Sequence, residues 1–398
     1  VSLPFCDLSA AKGMVINMAK IKPVKAAVIG CGMISGIYMK NLTQTFTSVE
    51  LLGCSDLFDW KAKKRAEEFS LKVMTNEEIF ADSEIEMVLN LTYASAHYEV
   101  SKAALEAGKH VYSEKMMAVT MDEADELVDI AKRNNLRFAI APDTFLGASM
   151  QTCRHIVDSG LIGEPVVGSV KIITGYHLIK SDEDDSLRRY SVVRRGGGIV
   201  YDMGGYYLHA LFNMFGPIKR VCGFAGTRNA NRPMLNPRHS EFGDNFFMDT
   251  PNFMVAALEF RSGLMVTLTE TCDCFASDQS FEIYGTEGAV YCGDPNIFGN
   301  PVYVKRRDTE KLEYPFVSPY SGNSRGIAAA EMAWAIRQDR PQRLSTEMGY
   351  HALEVTAAVL ACSQDGQTRE MKTTFERPKP FDTFYTGGTS NERILSLY

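Results

Sequence analysis

Long apolar runs are missing from these 398 residues: none approaches the roughly 18 consecutive apolar positions that a membrane-spanning helix requires. Excess positive charge is missing too. With 42 Lys and Arg against 49 Asp and Glu, the formal net charge is −7, and nothing in that balance suits nucleic-acid phosphates. The nine cysteines are odd in number and scattered, and Cys272 and Cys274 stand one residue apart, too close for a zinc-type pair without partners elsewhere. They read as reduced thiols acting as small core side chains. His177, His239 and Asp185 fall into no metal-ligand spacing, so no metal is expected. Internal repeats, low-complexity tracts and a Gly-x-Ser-x-Gly nucleophile elbow are all absent. The first twenty residues lack a basic start followed by an apolar block, so they do not read as a secretory signal. Val1–Asn17 is expected to be a poorly ordered extension, and the location cytoplasmic.

What is present is globular. Hydrophobic residues make up 45% and charged residues 23%, which excludes a mostly disordered chain. The length suggests two or three domains at roughly 150 residues each.

The first third carries the clearest pattern. Lys25–Gly30 is a short apolar run ending in glycine, as a buried parallel strand would be. Gly30-Cys-Gly32-Met33-Ile34-Ser35-Gly36 follows, and then a helical pattern over Ile37–Thr45. Gly30 permits a tight turn, Gly32 lets the backbone approach a pyrophosphate, and Ser35 is the third small position. The helix start would offer N–H groups and positive dipole to phosphate oxygens. Alone, a plain strand–turn–helix reads equally well.

A second strand, Val49–Ser55, ends at Asp56, which lies 24 residues after Gly32. A carboxylate at about that distance accepts the adenosine ribose hydroxyls and repels a 2′-phosphate, which favours NAD over NADP. Asp56 also suits a helix N-cap before Trp60–Phe69. Further strands are expected at Met87–Leu91, His110–Ser113 and Arg137–Ala141, with helices over Glu77–Phe80, His97–Ala107 and Met121–Asn134. Such alternation predicts a doubly wound parallel sheet, a Rossmann-type NAD-binding domain.

Two later stretches resemble a known family. The strand His110–Ser113 runs into Glu114-Lys115-Met116, similar to the Glu-Lys-Pro signature of the Gfo/Idh/MocA oxidoreductases. Downstream, Gly196-Gly-Gly-Ile-Val-Tyr-Asp202-Met-Gly204-Gly-Tyr206-Tyr-Leu-His209 resembles that family's catalytic segment. Smaller echoes are Leu161–Pro165, Glu282–Gly288 and Arg325-Gly326, so the likeness runs from about Lys22 to Glu376. Met116 replaces the usual proline, Tyr206 stands where many members have histidine, and His209 replaces a common Asp or Asn.

After about residue 145 the pattern changes to long β segments: Val166–Tyr176, Arg220–Thr227, Phe253–Phe260, Leu264–Thr271, Phe281–Tyr284 and Val302–Lys305. The resemblance implies one large open, mainly antiparallel sheet. Gly204–Phe215 reads as a helix covering its inner face, and Arg325–Gln338 and Glu347–Ala361 as helices returning to the first domain. The expected organisation is an extension at 1–20, an NAD-binding domain at 21–145, a substrate and oligomerisation domain at 146–376, and a tail at 377–398. Ser181–Asp185 with Arg188, Arg189, Arg194 and Arg195 reads as a polar surface loop or a substrate-side lid.

The resemblance implies a hydride transfer to NAD, with Lys115, Asp202, Tyr206 and His209 handling the substrate hydroxyl. Cofactor contacts are implied for Gly30, Gly32, Met33, Ile34, Asp56, Thr92, His97, Glu114 and Lys115. With Asp202 opening a helix, Tyr206 and His209 would share a face at i+4 and i+7. Tyr206 or His209 could then take the proton; His209 is the slightly favoured base at neutral pH, since an unperturbed tyrosine is rarely ionised there. The expected substrate is a sugar, cyclitol or glycoside. A glucosyl 3-hydroxyl is preferred, because His209 and an aromatic tail (Phe381, Phe384, Tyr385) suggest a site open to an aglycone. Redox-neutral glycoside cleavage through a transient keto intermediate, and a non-catalytic dinucleotide sensor, are the alternatives. The apolar run Phe253–Leu258 further predicts a homo-oligomer, dimer or larger, joined through the open sheet.

Overall fold

A computed structural model describes residues 22–175, 196–233, 242–274 and 276–381. The expected extension at Val1–Asn17, the Ser181–Arg195 loop, His177, His239, Phe384 and Tyr385 lie outside the described residues.

The first unit alternates strands and helices: β1 (Val24–Ile29), α1 (Ser35–Gln44), β2 (Val49–Ser55), α2 (Asp59–Phe69), β3 (Lys72–Val73), α3 (Asn76–Ala81), β4 (Met87–Asn90), α4 (His97–Glu106), β5 (His110–Ser113), α5 (Met121–Arg133) and β6 (Phe138–Ile140). The strands form one parallel sheet in the order β3-β2-β1-β4-β5-β6. Every residue of β4 and β6 is buried, the mark of strands covered on both faces. Local sequence starts the helices. Thr120 accepts the Glu123 N–H while the Glu123 carboxylate accepts the Thr120 N–H, a reciprocal cap worth about 1 kcal/mol. Acidic residues in the first turn of α5 and Lys132 and Arg133 in the last suit the helix dipole.

The second unit begins with α6 (Ala148–Asp158) and β7 (Pro165–Gly175), followed by α7 (Gly198–Asp202) and α8 (Gly204–Phe215). Then come β8 (Ile218–Gly226), the small hairpin β9 (Asn231–Pro233) and β10 (Asn245–Phe247), β11 (Phe253–Phe260), β12 (Met265–Cys274), β13 (Asp278–Gly285), β14 (Gly288–Cys292), β15 (Val302–Arg306) and β16 (Leu312–Tyr314). The helices α9 (Ile327–Gln338) and α10 (Thr346–Asp365) and the short β17 (Arg369–Glu370) complete it. Nine strands form a single sheet in the order β16-β15-β14-β13-β7-β12-β11-β8-β17, antiparallel except for the β7–β12 pair. The expected fold class, a Rossmann domain followed by a mainly antiparallel open sheet, is therefore observed.

One face of this sheet is core and the other is open. In β11, Met254, Ala256, Leu258 and Phe260 are buried while Val255 is 52% exposed. Val255 pairs with the exposed Phe224 of β8, and the exposed Met265 pairs with the exposed Val167. Cys222, expected in the core, also lies exposed, because its strand position alternates with the buried Val221.

The late helices join the two sheets. The helix α10 packs on β8 of the large sheet and on β6 and α5 of the parallel one. Arg337 at the end of α9 donates to both Glu86 oxygens, at 2.8 and 2.6 Å. Asp143, buried just after β6, accepts the Gly326 N–H at 2.8 Å. That last bond brings Arg325 to the carboxyl end of the parallel sheet, where ligands of such sheets bind.

Candidate active site

The cofactor end is built by β1, the glycine turn and α1. Gly30 has φ +101°, and a Cβ there would lie 2.6 Å from the Leu91 carbonyl and 2.7 Å from the Thr92 nitrogen. Only hydrogen fits, so the turn can close against the loop after β4. An added Cβ at Gly32 would meet nothing within 4 Å, which leaves open space over the turn. Ile34 stands at the N-cap of α1 and makes no side-chain cap bond, so α1 keeps backbone donors for an outside acceptor. Met33 is exposed and Ile34 half-buried beside that space.

Asp56 sits at the end of β2. Its Oδ2 accepts the Cys31 N–H at 2.7 Å and its Oδ1 the Phe58 N–H at 2.8 Å, which fixes the carboxylate at the rim of the turn. The N-cap of α2 is Phe58, so Asp56 does not cap that helix. Open space at Gly32, an uncapped helix start and a rim carboxylate fit a dinucleotide.

The second cluster forms where β5 ends. Lys115 follows Glu114, and its side chain is 14% exposed. Its Nζ lies 2.9 Å from Asp202 Oδ1, 3.4 Å from Glu114 Oε2 and 5.2 Å from the centre of the Tyr206 ring. Burial pulls the ammonium pKa down, but Asp202, Tyr206 and Glu114 outweigh it and hold the value well above that of an ordinary lysine. Lys115 is therefore a cation at neutral pH. Glu114 is buried, and Tyr38 donates its hydroxyl to Glu114 Oε1 at 2.7 Å. Burial raises the Glu114 pKa, yet Lys115 and Tyr38 together bring it below the usual carboxylate value. Tyr206 is also buried. Burial raises its pKa, Lys115 and Arg325 pull against that, and the phenol stays above its ordinary value.

Several expected placements differ. Asp202 ends α7 instead of opening α8; Met203 stands at the N-cap of α8, and no side chain caps it. Asp202 is half-exposed, so its carboxylate faces both Lys115 and water. His209 is not brought to this cluster. Its ring lies 6.3 Å from Phe145 and 5.9 Å from Phe212, it is 1% exposed, and its Nδ1–H donates to the Gly205 carbonyl at 2.8 Å. Burial lowers its pKa to about 4. A buried imidazole that weakly basic, turned into aromatic packing, is a poor proton acceptor. This burial runs against the expected role of His209 as the base.

His97 is likewise buried. Its Nδ1 lies 2.7 Å from the Met116 carbonyl and its Nε2 2.9 Å from the Thr92 carbonyl, so the ring ties the Lys115 turn to the loop after β4. Thr92 donates its hydroxyl to Asn90 Oδ1 at 2.6 Å. Phe381, expected near an open site, is 3% exposed, packed 6.2 Å from Tyr320 and 4.9 Å from the Arg343 guanidinium.

Two residues given no role from sequence join the cluster. Arg325 lies with its guanidinium 6.0 Å from the Tyr206 ring centre and 3.3 Å from the Asn296 carbonyl. Asp143 behind it is pushed up to about 6 by burial, against the pull of Arg325. Arg325 and Lys115 place two cations near one phenol.

Residues 24–141 match the family model described as "Oxidoreductase family, NAD-binding Rossmann fold", and residues 150–291 match the "GFO/IDH/MocA C-terminal domain". The chain belongs to the Gfo/Idh/MocA oxidoreductase family. It is 32% identical over 202 residues to an uncharacterized oxidoreductase of Schizosaccharomyces pombe, covering 49% of this chain and 52% of that one. It is 26% identical over 175 residues to an inositol 2-dehydrogenase/D-chiro-inositol 3-dehydrogenase of Lactiplantibacillus plantarum, covering 43% and 49%. The matched region spans about half the length of these two curated relatives. Among solved structures, levoglucosan dehydrogenase in complex with NADH and L-sorbose aligns with a TM-score of 0.75 at 17% identity, over 89% of this chain and all of that one. Aldose-aldose oxidoreductase from Caulobacter crescentus gives 0.73 at 18%, over 88% and 100%. At such identities these likenesses establish the shared fold. Residues 24–141 are therefore the NAD-binding Rossmann domain of that family.

Proposed function

We propose that this family member is an NAD-dependent dehydrogenase that oxidises a secondary hydroxyl of a sugar or polyol. The observation that carries the reading is the Lys115 ammonium held between Asp202, Glu114 and the Tyr206 ring at the carboxyl edge of the cofactor sheet. Relatives named for inositol, and structural neighbours named for levoglucosan and aldose, support the substrate class.

The cofactor would be held by the backbone of Gly32, Met33 and Ile34 at its diphosphate and by Asp56 at its adenosine ribose. When bound, NAD supplies the acceptor for the hydride leaving the carbinol carbon. The chain's own residues manage the oxygen. Lys115 Nζ stabilises the negative charge that grows there, in a setting where water is largely excluded. It can take the hydroxyl proton as it passes one of its own to Asp202 Oδ1, and half-exposed Asp202 returns that proton to water. Tyr206, kept neutral, hydrogen-bonds the same oxygen and limits its position.

A glucosyl 3-hydroxyl remains the narrower proposal, but buried His209 and Phe381 lend it no support. We further propose a homo-oligomer joined through the open face, where the exposed Phe224 and Val255 stand side by side on paired strands, an apolar pair that is costly in water. Eight described cysteines are free thiols, consistent with a cytoplasmic location. Steady-state NADH formation across inositols, free aldoses and glucosides tests the function. Turnover of a sugar or polyol with NADH release supports it. Substrate loss without NADH would mark a redox-neutral cycle instead.

A further inference from the structure

Arg65 projects from α2 onto the first turn of α1. Its Nε donates to Ser35 Oγ at 3.1 Å and one terminal nitrogen to the Gly32 carbonyl at 3.3 Å. The other terminal nitrogen pairs with Glu68 at 2.5 Å. Gly36 makes the room: a Cβ there would lie 3.0 to 3.1 Å from three guanidinium atoms. The arginine side chain is 17% exposed, so this cation is set into the turn and does not trail in solvent.

The placement is electrostatically adverse for the isolated fold. The start of α1 carries the positive end of the helix dipole and has no acidic residue in its first turn. Setting a guanidinium against it puts like charge on like. Glu68 offsets part of this, but its side chain is 47% exposed and its field is shared with water. An anion on the open side of Gly32 reverses the balance. A dinucleotide's diphosphate carries two negative charges, and the turn that would hold it already has the Asp56 carboxylate fixed on its Cys31 N–H. Backbone N–H groups alone would face that repulsion.

We propose that Arg65 is the counter-charge for the cofactor diphosphate, a binding residue that braces the glycine turn and offsets Asp56. The inference rests on the NAD-binding assignment of this domain. Failure of the unaltered protein to bind ADP or NAD would overturn that assignment, whereas differences between the unaltered protein and its variants report on Arg65.

The test is calorimetric binding of NAD, ADP and adenosine to the full chain and its variants, with no turnover needed. Arg65→Gln retains a side-chain hydrogen-bond donor and removes the charge. It should weaken NAD and ADP roughly tenfold, the scale of a lost charge-assisted contact, while adenosine affinity stays unchanged. The dependence of log Kd on log salt for ADP should become shallower, and Arg65→Lys should recover most of the affinity. Equal weakening of ADP and adenosine would make Arg65 a scaffold of the turn and overturn the proposal, as would unaltered ADP binding. Glu68→Gln keeps the arginine and removes its competing carboxylate, so it stays informative where Arg65→Gln fails to fold. It should tighten ADP two- to threefold; unchanged or weaker binding would contradict the counter-charge role.

Discussion

Replacing Lys115 by Met removes the ammonium, keeps much of the apolar stem, and acts on two neighbours in opposite ways. Asp202 is half-exposed, so water takes over its solvation at little cost. Glu114 is buried and keeps the Tyr38 hydrogen bond at 2.7 Å but loses its cation at 3.4 Å. Stranding one member of a buried pair costs about 3 kcal/mol. In the unaltered protein the Glu114 pKa is lowered, so its contribution is present above the ordinary carboxylate range and lost as pH falls. In the variant burial governs, the pKa rises, and the sign reverses: the penalty is present at neutral pH and relieved as Glu114 takes a proton. Thermal unfolding should therefore show a deficit of several degrees at neutral pH that shrinks toward mildly acid pH. Turnover should fall by about a hundredfold or more, since a charge aimed at the developing alkoxide is lost. NAD affinity should change by less than about threefold, because Lys115 is assigned to the substrate oxygen. A turnover loss under tenfold, or a stability deficit independent of pH, would refute the reasoning.

Three further outcomes follow from named contacts. Asp56→Ala should weaken NAD and narrow its advantage over NADP; equal dissociation constants for the two cofactors in the unaltered protein would contradict the rim-carboxylate reading. His209→Leu should leave turnover and its pH profile within about threefold. Because the buried imidazole titrates at about 4, below its ordinary 6.5, it withdraws stability as pH falls through that window, about 3 kcal/mol at most. Acid unfolding of the leucine variant should shift to lower pH, and loss of a titrating limb from its rate profile would restore His209 as a base. Val255→Arg, placed beside exposed Phe224, should lower the mass measured by light scattering; a monomer mass for the unaltered protein would remove the oligomer proposal.

The cofactor sheet was legible because its signals are local. A strand ending in glycine, a helical period after it, and a carboxylate at the end of the next strand all sit within a few dozen residues, and β1, α1 and β2 form within a residue or two of where the pattern puts them. In the large sheet the long strands with strong apolar content were legible, whereas β14, β16 and the helix α6 were not, their segments being short or buried all round. Site geometry was less legible where it depends on orientation. Three residues along a helix turn a side chain by roughly 300°, leaving an offset of about 60° and a rise of about 4.5 Å between Tyr206 and His209. That offset carries His209 from the cluster into packing against Phe145 and Phe212. Arg325 was visible only as a short echo of the family, since its approach to Tyr206 depends on the Asp143–Gly326 bond across 183 positions. Arg65 gave no sequence signal beyond being one basic residue on a charged helix. The lone hint was Gly36, a second small residue beside Ser35, for which the motif itself has no need.

The most direct measurement is the absorbance of NADH formed when the purified protein and NAD are mixed with a polyol or sugar, compared between protio substrate and substrate deuterated at the reacting carbon. NADH should form with a primary isotope effect in the unaltered protein, and its formation should fall by about a hundredfold or more in Lys115→Met with NAD still bound. Equal rates in the two proteins, or no hydride reaching NAD from any secondary alcohol of these classes, would contradict the proposed function.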